Sequence, residues 1–213
     1  MIVGTPITLR IGLIGASIGI TIGIILGFTA GFFGGKIDTV IRSVADTILP
    51  IPALAVLVVI ASVIKQSLSP DMMGLIVASL AWMHPTRTIR SQVLTMRERA
   101  YVQVARLCGL SEPEIVVREL IPNLLPYLGA TFVSATGASI LAAIGLEALG
   151  LGPQNEPTMG MTIYWAMYYG APLQGAYWWW GPPIVIIVFV FVGLFLISAG
   201  LDELANPRLR KQV

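Results

Sequence analysis

Long stretches of the chain carry no charged side chain, and they constrain the fold more than any other feature of the sequence. Residues 11–35 and 120–146 contain no Asp, Glu, Lys or Arg. A helix rises about 1.5 Å per residue, so about 20 apolar residues cross the roughly 30 Å hydrocarbon core of a bilayer. Because these runs are continuously apolar rather than alternating, they predict membrane-spanning helices and not the strands of a barrel.

Composition and charge spacing extend this prediction to the whole chain. Of its 213 residues, 56% are hydrophobic and 11% are charged, whereas a soluble domain carries about a quarter charged residues. We therefore predict an all-α fold, a polytopic transmembrane helix bundle that forms one domain over residues 1–213. The five predicted spans cover residues 11–33, 46–65, 72–86, 120–146 and 184–201. The third is the shortest, and His84-Pro85 closes it.

Basic residues are distributed unequally between the two sides of such a bundle. Cytoplasmic connections collect Lys and Arg, and with five spans alternate connections share a side. Arg10 and Lys65 fall on one side, and the other eleven of the 13 basic residues fall on the opposite side. These are Lys36, Arg42, Arg87, Arg90, Arg97, Arg99, Arg106, Arg118, Arg208, Arg210 and Lys211. The asymmetry predicts a multi-pass protein of the cell membrane with an external N-terminus and a cytoplasmic C-terminus.

Small residues recur every four positions along the first and fourth spans. The first span carries Gly15, Gly19, Gly23, Gly27 and Gly31 on one helix face, and the fourth carries Ala130, Ser134, Ala138 and Ala142. Such stripes let a neighbouring backbone approach closely. They predict tight helix packing and give no information about a substrate.

The external connection, residues 150–183, is rich in tyrosine and tryptophan. These side chains favour the level of the lipid headgroups, so a belt at the membrane surface is one interpretation. A docking surface for an external partner is the other.

Residues 15–19 match the G-x-S-x-G pattern of a serine nucleophile, which leaves an intramembrane serine protease as an alternative. That pattern requires a strand–turn–helix setting, but here it lies inside a predicted helix. Ser17 is also expected near the opposite end of the bundle from His84, the only histidine. The sequence contains no phosphate-binding loop, and one histidine with one cysteine does not form a zinc site. We therefore predict no catalytic residue, no metal and no cofactor in this chain.

The connection over residues 87–122 is expected to be a structured cytoplasmic loop. Ile89, Val93, Met96, Ala100, Val104 and Leu107 form one apolar stripe on a predicted helix. Gly109 suits the left-handed position that ends a helix, and Leu110 is the apolar residue that packs back after it. Ser111 and Glu114 form a capping box for a short second helix, with Pro113 in its first turn. Pro122 marks the entry to the fourth span. A helix–turn–helix of this kind is suited to being gripped by another protein.

These residues resemble a known signature. Gln103-Val104-Ala105, then Gly109, then Ile121-Pro122 resemble the EAA signature of binding-protein-dependent ABC transporter permeases. The wider run MRERAYVQVARLCGLSEPEIVVRELIPNLLP, with LGLGPQ at 149–154 and LDELANPRLR at 201–210, is similar to the dipeptide/oligopeptide/nickel subgroup. Three positions depart from the signature, namely Gln103, Val104 and Glu119. Members of the subgroup usually have one more N-terminal span, so a naturally short form and a truncated chain are both open.

The resemblance implies a permease subunit that forms a heterodimer with a second permease subunit. It also implies two cytoplasmic ATPase subunits, which use the ATP, and an external substrate-binding protein. The expected ATPase-coupling residues are Gln103, Ala105, Gly109, Leu110, Ser111, Glu112, Pro113, Glu114 and Pro122. Di- or oligopeptides are the expected substrates and nickel is the alternative. A passive channel or stand-alone carrier is a further alternative, but it would have no need of the cytoplasmic helix–turn–helix.

Overall fold

The computed structural model describes residues 1–64 and 67–205, and these residues form helices joined by short connections, with no strand among them. The helices are α1 (Gly4–Phe33), α2 (Gly35–Ile48), α3 (Ala53–Val63), α4 (Pro70–Ala81), α5 (Met83–Met96), α6 (Ala100–Leu107), α7 (Glu112–Ile115), α8 (Ile121–Ala148), α9 (Met159–Tyr168) and α10 (Tyr177–Ala205). A π-helical turn, Val116–Leu120, joins α7 to α8.

Three helices are long and apolar enough to cross a bilayer. They are α1, the continuous helix Glu112–Ala148 that contains α7 and α8, and α10 as far as Leu201. They correspond to the predicted first, fourth and fifth spans, and the predicted all-α polytopic bundle is confirmed. The predicted orientation stays a prediction, since Lys65, Arg208, Arg210 and Lys211 lie outside the described residues.

The predicted second span is not one straight helix. Residues 46–65 contain a sharp bend between α2 and α3, which meet at 86°. The two helices are long and apolar enough to cross a bilayer only when they are taken together. Pro50 and Pro52 lie in the break. Proline cannot donate a backbone hydrogen bond and disfavours a helical conformation in the residue before it, so two prolines stop one helix and start another.

The predicted third span also differs from the structure. Residues 72–86 fall on two helices, α4 and α5. Of these two, only α4 is apolar, and its 12 residues are short for a membrane crossing. After an interruption at Trp82, whose backbone dihedrals stay helical, the chain continues as α5, so His84-Pro85 lies at the start of a helix and not at its end. Pro85 has no N–H to donate to the carbonyl four residues earlier, which accounts for the interruption. By length and composition, the described residues provide three spans, or four if the bent pair counts as one.

The glycine face of α1 lies directly against α4 and α5. The closest approaches keep one constant sequence offset: Gly15–Val77, Gly19–Ala81, Gly23–Pro85, Gly27–Ile89 and Gly31–Val93. Residue numbers increase together along both partners, so α1 runs parallel to α4 and α5. A Cβ at Gly19 would lie 2.6 Å from the Cβ of Ala81, a distance that real carbon atoms do not reach. The helices therefore pack backbone against backbone along most of the length of α1.

Two apolar clusters lie at opposite ends of α1. Near its start, Ile11 packs with residues of α3, α4 and α8. Near its end, Phe28 and Phe32 pack with α5, α6, α7 and α8. The cluster at the end of α1 is the one that includes the loop predicted to be cytoplasmic, so α1 connects the two ends of the bundle.

The glycine face makes a sharp prediction about stability. At Gly23 a Cβ would lie 2.6 Å from the Pro85 Cβ and 3.2 Å from the Thr86 nitrogen, whereas at Gly193 in α10 it would meet nothing within 4 Å. Gly23→Ala should therefore destabilise the protein by about 1–3 kcal/mol through overpacking. Gly193→Ala should not, because alanine also favours a helix by about 1 kcal/mol over glycine. Thermal unfolding in detergent measures both, and equal midpoints would contradict the packing described.

Candidate functional site

The predicted single apolar stripe of the loop is divided between two helices. Ile89 and Val93 are fully buried in α5, which ends at Met96. The chain turns over residues 97–99 and restarts as α6 after Arg99, whose backbone is extended. The one-helix prediction was therefore wrong, because the turn rotates a different face of α6 toward the bundle.

The face of α6 that packs inward is short and tight. Val102 and Ala105 are buried against Phe28 and Phe32 of α1. Tyr101 packs beside them, its hydroxyl is buried with no partner among the described residues, and burial raises the pKa of that phenol. Ala105, one of the predicted coupling residues, is therefore part of the packing and lies away from the surface.

The opposite face of α6 points away from the described chain. Gln103 is exposed, Val104 is 56% exposed and Leu107 is 87% exposed. Val104 and Leu107 are three residues apart, so they are neighbours on the helix surface. Together they form a small exposed apolar patch on α6, outside the candidate spans.

The turn after α6 is held by its own backbone. Gly109 has φ +85°, its N–H donates to Arg106 O at 3.0 Å, and the Leu110 N–H donates to Ala105 O at 3.2 Å. This pair of bonds is the Schellman arrangement. A Cβ on Gly109 would meet nothing within 4 Å, so only the left-handed backbone requires glycine here. Leu110 packs against the cluster that contains Phe32.

A capping box follows at once. The Ser111 N–H and hydroxyl lie 3.0 and 2.7 Å from Glu114 Oε2. The neighbouring Glu112 accepts hydrogen bonds from Arg106 at 3.1 and 3.3 Å. Glu112, Pro113 and Glu114 are all exposed, so they lie at the surface of the turn.

The expected short second helix is not a separate element. It is the first turn of the continuous 37-residue helix from Glu112 to Ala148. The Ile121 N–H bonds to Val116 O, five residues back, which widens the helix just before Pro122. Because Pro122 has no N–H to donate, a local π-turn accommodates it without breaking the helix. A displacement at Ser111 would thus enter α8 directly.

A cavity of about 580 Å³ lies between α2, α3, α4, α5, α8 and α10. Its wall is mostly apolar, with hydroxyl groups and one imidazole, and none of its lining residues is Asp, Glu, Lys or Arg. The polar members are His84, Thr88, Tyr127, Thr131, Ser134, Ser139 and Ser198. The small-residue stripe of the fourth span, predicted to pack on a helix, lines this cavity instead, since Ala130, Ser134, Ala138 and Ala142 all belong to its wall. Sequence reasoning did not find the cavity.

Glu147 directly follows the uncharged run 120–146 and is fully buried near the end of α8. Its carboxylate faces the Thr158 side chain and the backbone N–H groups of Gly160 and Met161 at the start of α9. None of these groups reaches good hydrogen-bonding geometry with either oxygen in the described structure. A Cβ on Gly160 would collide with this carboxylate. Glycine at the start of α9 thus makes room for a buried acid.

The aromatic residues of the external connection form a chain of ring contacts. Trp165 stacks on Tyr169, and Tyr169 stacks on Trp179, with centroids 5.9 and 6.0 Å apart. Tyr168 and Trp178 are 66% and 74% exposed. The arrangement is compatible with a surface belt and with a docking surface, and neither interpretation is tested by it.

The sequence of this chain is similar to those of known membrane transport proteins. Residues 19–211 match the family described as binding-protein-dependent transport system inner membrane component. The oligopeptide transport system permease protein OppC of Lactococcus lactis subsp. cremoris is 30% identical over 82% of this chain and 59% of its own length. The corresponding protein of Mycobacterium tuberculosis is 29% identical over 81% and 59%. The dipeptide transport system permease protein DppC of Alkalihalophilus pseudofirmus is 25% identical over 82% and 56%. The chain spans less than two thirds of the length of these relatives.

Glu147 allows a test that separates its charge from its volume. Glu147→Gln should leave the unfolding midpoint in detergent unchanged or higher, because it removes a poorly compensated buried charge and keeps the shape. Glu147→Ala should cost about 2–5 kcal/mol, as large-to-small changes in cores do. If Gln were as damaging as Ala, the charge itself would be required.

Proposed function

Because the chain belongs to the family of binding-protein-dependent transport system inner membrane components, we propose that it is the membrane-spanning permease subunit of an ATP-driven importer. Separate ATPase subunits hydrolyse the ATP, and the chain itself carries no catalytic residue. The observation that carries this proposal is α6, an eight-residue helix with an exposed apolar face, fixed by a hydrogen-bonded turn to the continuous helix that contains α8.

The proposed mechanism uses α6 and the turn after it as the contact with an ATPase subunit. Gln103, Val104 and Leu107 supply the outer face, with the capped turn beside it. When the two ATPase subunits close on ATP, they displace this segment as a rigid body. The Gly109 turn and Ser111 then transmit the movement into the helix that lines the cavity, and the access of the cavity alternates between the two sides of the membrane.

Di- or oligopeptides are the substrates that we propose. Relatives of this chain are named oligopeptide and dipeptide transport permeases. The cavity wall supports the proposal, because hydroxyl groups in an otherwise apolar and uncharged wall suit a peptide backbone with varied side chains. Nickel receives less support, since His84 is the only imidazole in that wall and nickel sites favour several nitrogen or sulfur ligands.

The remaining parts of the proposal concern partners and topology. A second permease subunit completes the cavity, two ATPase subunits bind at the cytoplasmic side, and an external binding protein delivers the substrate. The protein resides in the cell membrane with its N-terminus external and its C-terminus cytoplasmic. The serine-protease alternative is not favoured, because Ser17 lies on the exposed face in the middle of α1 rather than in a strand–turn–helix elbow.

Co-purification tests the proposed function directly. A tagged form of this chain, expressed with its full set of subunits and extracted in mild detergent, should bring down an ATPase subunit. A stand-alone carrier, a passive channel or a protease would be recovered without one. Recovery of a folded, abundant chain with no ATPase would contradict the proposal.

The same assay tests the Gly109 turn through two substitutions. Valine resists a positive φ, so Gly109→Val should turn α6 away from α7 and reduce ATPase recovery strongly at normal membrane abundance. Gly109→Asn is the matched control, because asparagine tolerates the left-handed conformation. Ser111→Ala should have a smaller effect, since a lost N-cap costs about 1 kcal/mol. Wild-type recovery with Gly109→Val would show that the turn is not the coupling element.

A further inference from the structure

The C-terminal end of α1 is held between two arginines, one just before α6 and one in its last turn. Arg97 lies in the turn before α6, and Arg106 lies in the last turn of α6. Both reach Phe32, which is 5% exposed in the last turn of α1. This clasp consists of Arg97, Arg106 and Phe32.

Arg97 caps the end of α1. Its Nη1 donates to the Gly31 carbonyl at 3.1 Å and to the Phe32 carbonyl at 3.4 Å. Carbonyls in the last turn of a helix have no intrahelical donor, and a cation there also interacts favourably with the helix dipole. α1 has no basic residue in its own last turn, so Arg97 supplies from the loop what the helix lacks.

Arg106 binds the same residue from the other end of α6. Its guanidinium carbon lies 5.7 Å from the centre of the Phe32 ring, within the range of a cation–π contact. Its nitrogens also donate to Glu112, at the start of α7. One side chain of α6 therefore contacts both α1 and α7.

We propose that Arg97 and Arg106 are positioning residues that make α1 move with α6 when an ATPase subunit displaces it. This inference rests on the proposed function. Without the clasp, α6 would keep its outer face and its turn into α8, but its hold on α1 would rest on apolar packing, by Tyr101, Val102, Ala105 and Leu110. The movement would then pass mainly into α8.

The rest of α1 is built to carry such a movement across the bundle. It is a single 30-residue helix without an internal proline interruption beyond its first turn. Its glycine face brings its backbone into direct contact with α4 and α5. At its far end Thr8 accepts a buried hydrogen bond from the Met159 N–H of α9 at 3.0 Å. A shift of Phe32 would thus reach the connection predicted to be external.

The test uses the complete transporter, reconstituted in vesicles with the partner permease, ATPase subunits and binding protein. The variants are Arg97→Gln and Arg106→Gln, and the matched control is Arg118→Gln. Arg118 is 68% exposed and pairs with Glu114 at 3.7 Å within its own helix, without reaching α1. Peptide uptake, ATP hydrolysis and ATPase content are measured for each, and the decisive quantity is peptide transported per ATP hydrolysed.

The expected result is a loss of coupling without a loss of assembly. Peptide transported per ATP should fall at least about fivefold in both Gln variants, which is the lower range of coupling between distant sites. ATPase content should stay normal, and Arg118→Gln should keep the wild-type ratio. A merely structural role would instead lower abundance and ATPase content together while leaving the ratio unchanged.

Lysine variants test the same inference if the Gln variants do not accumulate in the membrane. Arg97→Lys and Arg106→Lys keep the charge but lose the planar fork, so they should accumulate with a lowered ratio. If the wild-type complex transports peptide and the variants that accumulate transport as much peptide per ATP as it does, this inference is overturned and the proposed function stays intact. A wild-type complex that transports no peptide would overturn the proposed function itself.

Discussion

Close backbone contact between α1 and the α4–α5 pair is the interaction on which the rest of this structure depends. In a membrane the hydrophobic effect does not drive helices together, so association relies on close packing. The five glycines of α1 remove the side chains that would keep the helices apart, and their constant offset to α4 and α5 fixes a parallel register. That register places Phe32 beside α6 and Thr8 beside α9. The position of α6 relative to the bundle thus follows from the absence of five side chains.

Helix α6 and the turn after it show how local hydrogen bonds can hold a loop in one conformation. The Gly109 turn, the capping box at Ser111 and the Arg106–Glu112 pair lie within a few residues of one another. The exposed Arg106–Glu112 ion pair contributes about 0–1 kcal/mol and the N-cap at Ser111 about 1 kcal/mol, so neither would fix the loop alone. Together with the buried face of α6 they leave one outward surface in a defined orientation. A segment of this kind can pass on a displacement that a flexible linker would absorb.

Sequence patterns predicted the parts of the fold that depend on local chemistry. Uncharged runs located the three long helices, and the Gly109–Leu110–Ser111 signals predicted a helix end followed at once by a helix start. Tertiary packing decided the rest. The bend after α2 was predictable from Pro50 and Pro52, but apolar composition alone concealed it. The burial of Glu147 depends on α9 folding back over it, and the cavity depends on how several helices converge, so neither has a signal within one segment.

We propose that this chain is a transport subunit whose movement is driven by ATP hydrolysed elsewhere. Uptake of a labelled dipeptide into vesicles that contain the complete complex tests it most directly. The account predicts accumulation that requires ATP, the binding protein and this chain together. Uptake that proceeds equally well without ATP, or with this chain omitted from the complex, would contradict it.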